Sequence, residues 1–164
     1  MSSIDFKEIK QKELRTILDI YNYYIKKSTT TFDLIEISLK EFKNRIFINN
    51  DVYKTYLIYQ NNELLGFCFL TQYRKKPAYD KTAEIGIYLK EQFTHKGFGK
   101  IIVEYLENSA RINKIEVLIA SISGENTSSI KLFEKSGYKK CAHYKRIAEK
   151  FGRKQVLIDF QKFL

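Results

Sequence analysis

The hydrophobic pattern of this 164-residue chain predicts a mixed α/β fold, a twisted central sheet of about seven strands with about four helices on its faces. Three observations carry that expectation. Short β-type runs alternate with stretches of helical periodicity instead of segregating into separate blocks. No repeat, low-complexity tract or Pro/Gly/Ser linker divides the chain. Hydrophobic residues make up 44% and charged residues 29%, enough apolar material for one sizeable core and too much for disorder. At roughly 150 residues per domain the length fits one domain over residues 1–164.

Ser3–Ile9 alternates weakly and reads as a short strand. Leu14, Ile17, Leu18, Tyr21 and Ile25 recur at helical spacing, which predicts an amphipathic helix from about Gln11 to Lys27. Ser38 opens a second helix towards Ile48, because S-L-K-E forms a capping box with Glu41. Val52–Tyr59 and Leu64–Tyr73 are strand-like and separated by the polar turn Q-N-N-E, hence a hairpin. The single proline, Pro77, lies in a basic loop, Y-R-K-K-P-A-Y. Lys81–Leu89 is a strand, and Ile101, Ile102, Tyr105, Leu106 and Ile112 trace a helix to about Lys114. Val117–Ile122 is an apolar strand, and a helix runs from near Thr127 to a stop at Gly137. Tyr138–Ile147 and Lys154–Phe163 close the chain as strands.

Lys plus Arg number 29 against 19 Asp plus Glu, a formal charge of +10. Such a balance favours an anionic partner, but the lysines are spread over every segment and not gathered into a nucleic-acid-binding face. Two cysteines are too few for a disulfide scaffold, so Cys68 and Cys141 read as reduced thiols. No stretch approaches the ~18 apolar residues of a membrane span, and the N-terminus has no signal-peptide core. A cytoplasmic protein without membrane or nucleic-acid partner is the expectation, and no residue cluster suggests a metal.

The chemistry concentrates where the Glu84 strand feeds a loop containing Gly97-Phe98-Gly99 and a helix begins at once. Glycines permit close backbone approach, and the first helical turn aims unpaired N–H groups at an anion. His95, Lys96 and Lys100 add charge or donors, so phosphate binding follows. Ile102 stands where a dinucleotide fingerprint needs a third glycine, and Ile101 follows Gly99-Lys100 where a P-loop needs Ser or Thr. A second strand–helix junction places Asn126 and Ser129 on the same edge.

These blocks, in this order, resemble the GNAT superfamily of acetyl-CoA-dependent N-acetyltransferases, and within it the phosphinothricin acetyltransferase group. I-Y-N-Y-Y-I-K-K-S-T-T-T-F-D is similar to the group's first helix and following loop. Y-R-K-K-P-A-Y-D-K-T-A-E-I-G-I-Y-L resembles its substrate loop and central strand, and L-I-A-S-I-S-G-E-N-T-S-S-I-K-L-F-E-K-S-G-Y its last strand–helix block. The resemblance implies the GNAT fold, acetyl-CoA as cosubstrate, direct transfer in a ternary complex, and a homodimer.

It also implies roles. Ile87, Tyr88 and Leu89 would hold the pantetheine arm through free backbone groups, with the Ile87 N–H polarising the thioester carbonyl. Thr94-His95-Lys96-Gly97-Phe98-Gly99 falls on the pyrophosphate loop, with Thr94 in place of the usual Gln or Arg and Lys96 and Lys100 as compensating charges. Asn126 and Ser129 would contact the cofactor arm, and Asn126 also suits a helix cap. Glu84 is the candidate general base, its pKa raised by burial between apolar neighbours. The family's general-acid tyrosine falls on Phe133, and Tyr138, Tyr144 and His143 read as packing residues. Thr31, Phe32 and Asp33 fall in the acceptor loop, and Arg74 offers a fork for an acceptor carboxylate. Lys154 stands where relatives carry an aromatic. The acceptor expected is a small amino-acid-like amine of the phosphinothricin, methionine sulfoximine or methionine sulfone type. The competing readings are a protein N-terminus or polyamine as acceptor, or a non-catalytic module that binds nucleic acid.

Overall fold

The computed structural model describes residues 3–164. Seven strands and four helices follow one another as β1 (Ile4–Glu8), α1 (Leu14–Lys27), α2 (Leu39–Lys43), β2 (Lys54–Gln60), β3 (Glu63–Gln72), β4 (Thr82–Leu89), α3 (Phe98–Ile112), β5 (Val117–Ser123), α4 (Thr127–Lys135), β6 (Lys139–Lys150) and β7 (Arg153–Phe163). The strands form one sheet in the order β1-β2-β3-β4-β5-β7-β6. Every neighbouring pair is antiparallel except β4 and β5, which are parallel and joined through α3.

Period-2 alternation divides the sheet into two faces. Ala83, Ile85, Leu118, Ala120 and Ile122 point to one face, where Ile102, Val103, Leu106 and Ala110 of α3 seal the larger core. The opposite face carries Leu57 and Phe67, covered by Leu14, Ile17, Leu18 and Ile25 of α1 and Phe42 of α2. Glu84 and Tyr88 share the second face by the same alternation. Both hairpin turns have left-handed residues at their two central positions, Asn61-Asn62 (φ 50° and 64°) and Phe151-Gly152 (φ 53° and 71°). That geometry matches the twist of the flanking strands.

Two boundaries differ from expectation. The helix predicted towards Ile48 ends at Lys43, because Asn44 caps it by donating its backbone N–H to the Glu41 carbonyl. Arg45 is then drawn to Asp33, its Nη1 donating to Oδ2 at 2.7 Å. The strand predicted to stop at Ile147 continues to Lys150, across a register shift between Tyr144 and Ala148 where Arg146 adopts φ 57°. Cys68 is buried and Cys141 exposed, both as free thiols. No helix of the described residues is long and apolar enough to cross a membrane.

Candidate active site

β4 and β5 pair in parallel only over Thr82–Glu84 and Val117–Ile119. Beyond Glu84 the two strands separate, although β4 stays paired with β3 as far as Leu89 and β5 with β7 as far as Ser123. The facing edges of Ile85–Leu89 and Ala120–Ser123 are therefore left without a ladder. Hydrogen-bonding direction alternates along a strand. The Lys90 N–H reaches the Leu65 carbonyl on β3 at 2.8 Å, so the backbone groups of Ile85, Ile87 and Leu89 face the gap. Tyr88 departs from the sequence reading. Its backbone turns to β3, and its ring lies on the α1 face, stacked on Phe67 at 5.2 Å between centroids.

The gap opens into a groove of about 730 Å³. Its floor is the split strand pair, and one end is the start of α3, where Gly97 occupies the N-cap position with φ 85°. A side chain there would meet nothing within 4 Å, so the glycine serves the left-handed turn and leaves the approach open. Gly99 serves packing instead, since a Cβ would sit 2.7 Å from a Leu132 methyl of α4. Four unpaired N–H groups of the first turn of α3, with the positive end of the helix dipole, make this end an anion site. Thr94, His95, Gly97, Phe98, Gly99, Asn126 and Ser129 all line the groove. Asn126 also caps α4, its Oδ1 accepting from the Ser129 N–H at 3.2 Å.

The two lysines of the glycine loop do not line the groove. Lys96 packs its ammonium over the Phe93 ring at 5.4 Å, and Lys100 pairs with Glu104 at 3.8 Å. Lys27, Lys131 and Lys135 line it instead. Sequence reasoning missed these, although Ser128, Lys131 and Lys135 recur at helical spacing directly after Asn126. Phe133 lines the groove at the tyrosine position. Tyr138 is buried and packs edge-to-face on Phe133 at 4.9 Å, whereas Tyr144 is exposed on β6.

A second cavity, of about 550 Å³, lies on the α1 face of the sheet. Glu84, Phe69, Tyr88, Thr30, Ser121 and Ser123 line both spaces, so the two meet at Glu84. The opposing β3 residue Phe69 packs against Gly86, where any Cβ would come within 2.1 Å of the ring. Burial pushes the Glu84 carboxyl above its ordinary value, and the buried Asp159 adds in the same direction. No hydrogen bond or ion pair from another described residue engages the Glu84 side chain.

The cavity's far wall is the loop after α1. Thr31 and Phe32 line it. Tyr21 donates to Asp33 Oδ2 at 2.6 Å and contacts Thr31 Oγ1 at 2.8 Å. Burial and the Asp33 bond raise the Tyr21 pKa to about 12, so it stays a neutral donor. Burial also pushes the Asp33 carboxyl up, but the bonds from Arg45 and Tyr21 outweigh it and hold the group below its ordinary value. Lys150, buried at 2% exposure, donates to the Thr31 carbonyl at 2.8 Å. Ser123 donates to Thr29, Thr29 to Glu125, and Arg153 clasps Glu125 through two bonds of 2.8 Å. The β6–β7 turn thus anchors the loop to the end of β5.

Arg74 does not line the cavity. It is exposed and lies over the Tyr73 ring at 5.0 Å, while its neighbour Lys75 lines the cavity and pairs with no described residue. Among the described residues no cluster of His, Cys, Asp and Glu is arranged to hold a metal.

A groove for an extended anionic cosubstrate that meets a separate small-molecule cavity at a half-buried carboxylate fits a group-transfer enzyme with two substrates bound side by side. The chain belongs to the acetyltransferase (GNAT) domain family, whose model matches residues 6–155. It is an N-acetyltransferase with acetyl-CoA as cosubstrate. It is 24% identical over 154 residues to a phosphinothricin N-acetyltransferase of Streptomyces coelicolor, covering 87% of this chain and 86% of the relative. It is 28% identical over 91 residues to an L-methionine sulfoximine/L-methionine sulfone acetyltransferase of Pseudomonas aeruginosa, covering 56% of this chain and 53% of that one. The fold matches that of a GNAT phosphinothricin acetyltransferase from Sinorhizobium meliloti solved with acetyl-CoA, at TM-score 0.90 and 24% identity over 100% of this chain and 89% of that one.

Proposed function

We propose that the chain, as one domain, acetylates the amine of a small amino-acid-like acceptor, of the phosphinothricin, methionine sulfoximine or methionine sulfone type, with Glu84 as general base. The observation that carries this reading is the meeting of the two cavities at a carboxylate that no other described side chain engages. The groove fits acetyl-CoA: the α3 N-terminus suits the pyrophosphate, the open β4 edge the amide-bearing arm, and Asn126 and Ser129 the wall beside it. The second cavity suits a small zwitterion, with Glu84 for the ammonium and hydroxyls and Lys75 for an acidic group.

In this reading Glu84 takes a proton from the acceptor ammonium, directly or through one water. The freed lone pair forms the C–N bond at the thioester carbonyl, whose developing negative charge meets the Ile87 N–H. The C–S bond then breaks, and the second proton of the nitrogen passes to the departing thiolate, directly or through a water, leaving the amide and the free thiol. A thiol with a pKa of about 8.5 is a fair leaving group, so Phe133 in place of a tyrosine is tolerable. Tyr24, one of the phenols that line the groove, already donates to the Leu89 carbonyl at 2.5 Å. A homodimer formed through the exposed edge strand β6 and a cytoplasmic location complete the proposal.

Coenzyme A release measured over free amino acids, phosphinothricin, methionine sulfone, methionine sulfoximine, polyamines and peptides tests the acceptor class. Turnover confined to the amino-acid analogues supports it. Turnover only on polyamines or peptides overturns it.

A further inference from the structure

Ser128, Lys131, Leu132 and Lys135 line the groove from one face of α4, as their spacing of three and four residues requires. The stripe has a direction. It starts beside Ser123 and Asn126, near the junction at Glu84, and Ser128 to Lys135 extends about 10 Å along the helix. Midway, Leu132 packs against Gly99 in the first turn of α3. The two lysines therefore flank the anion-binding helix start, with Lys135 on the side away from the junction.

Both lysines are exposed, and neither makes a hydrogen bond or ion pair with another described residue. Like charges one helical turn apart repel each other, so an anion between them would relieve a cost the helix otherwise carries. The loop lysines contrast with them, Lys96 lying on an aromatic ring and Lys100 pairing with a carboxylate.

The coenzyme has three phosphates. The backbone cradle at Gly97–Gly99 suits the two of the pyrophosphate. The third, a monoester on the ribose 3′-oxygen, lies at the end of the molecule remote from the thioester and carries nearly two charges. We propose that Lys131 and Lys135 form the site for this ribose 3′-phosphate and make the enzyme selective for the phosphorylated coenzyme over its dephospho form. This inference rests on the reading of the groove as the acetyl-CoA site.

Isothermal titration of the wild type, of the double variant Lys131→Gln/Lys135→Gln, and of Lys139→Gln with coenzyme A and with 3′-dephospho-coenzyme A tests it. Lys139 is an exposed lysine of β6 outside the groove lining. The wild type should bind coenzyme A about tenfold more tightly than the dephospho form, as two partly solvated charge pairs allow. The double variant should lose about that factor for coenzyme A and stay within about twofold of wild type for the dephospho form, while Lys139→Gln keeps the discrimination. The preference should shrink as ionic strength rises. Equal weakening of both ligands in the double variant would assign the lysines to the pyrophosphate or to a general field, and overturn the proposal. Equal affinities in the wild type would overturn it too. Failure of either ligand to bind the wild type at all would remove the groove reading itself, a different result from lost discrimination.

Discussion

The two spaces that meet at Glu84 are built in different ways. The coenzyme groove is mostly backbone: two strands that stop pairing after Glu84 and Ile119, a left-handed glycine, and the first turn of α3. The acceptor cavity is mostly side chains, brought together from the loop after α1, the segment after α2, β3, β4 and β5. A backbone site needs few particular residues and tolerates divergence. A side-chain site changes with each substitution, and the proposed function puts selectivity for an acceptor there.

The largest effect that breaks this comparison is at the shared residue. Glu84→Gln removes the proposed base from both halves and should lower kcat by about 10²- to 10⁴-fold, with little change in acetyl-CoA affinity. Next comes a change confined to the groove. Gly97→Val puts a β-branched residue at φ 85°, a conformation that costs it about 1–2 kcal/mol or more, in open space where nothing clashes. The KM for acetyl-CoA should rise about tenfold while the acceptor KM holds, which steady-state kinetics at saturating co-substrate will separate.

The mirror experiment is on the other side. Lys150→Met removes the buried donor to the Thr31 carbonyl, and the acceptor KM should rise about three- to tenfold with acetyl-CoA KM unchanged. The smallest effect is at Arg153→Gln. Arg153 holds the Glu125 carboxyl below its ordinary value. A carboxyl lowered in the folded state adds stability above its unfolded pKa and loses it as pH falls through the folded one. The melting temperature of the variant should therefore lie slightly below wild type near neutral pH and converge with it in acid.

The same contrast explains what could be read from the sequence. All seven strands and four helices were legible, because hydrophobic alternation and helical spacing report one-sided burial directly. So was the glycine loop, since Gly97 is tied to a conformation few other residues adopt. The end of α2 was not, because the backbone cap at Asn44 leaves no side-chain signal and the pairing of Arg45 with Asp33 beyond it is a tertiary event. Lys150 reaches Thr31 across 119 positions, and no local pattern encodes that. Arg74 and Lys75 sit side by side in a loop without periodicity. Nothing in their order tells that one covers Tyr73 and the other lines the cavity. Lys131 and Lys135 were within reach, since Ser128, Lys131 and Lys135 follow the Asn126 cap at helical spacing.

The most direct test of the junction at Glu84 is the pH dependence of kcat/KM for the acceptor, measured for the wild type and for Glu84→Gln. Only the ionised carboxylate can accept the proton, and burial with Asp159 nearby raises its pKa. The wild-type profile should therefore fall on its acid side at a pH above the ordinary glutamate value of about 4.3, and that limb should be missing from the variant. A variant that keeps both the acid limb and wild-type activity would show that the proton leaves the acceptor by another route.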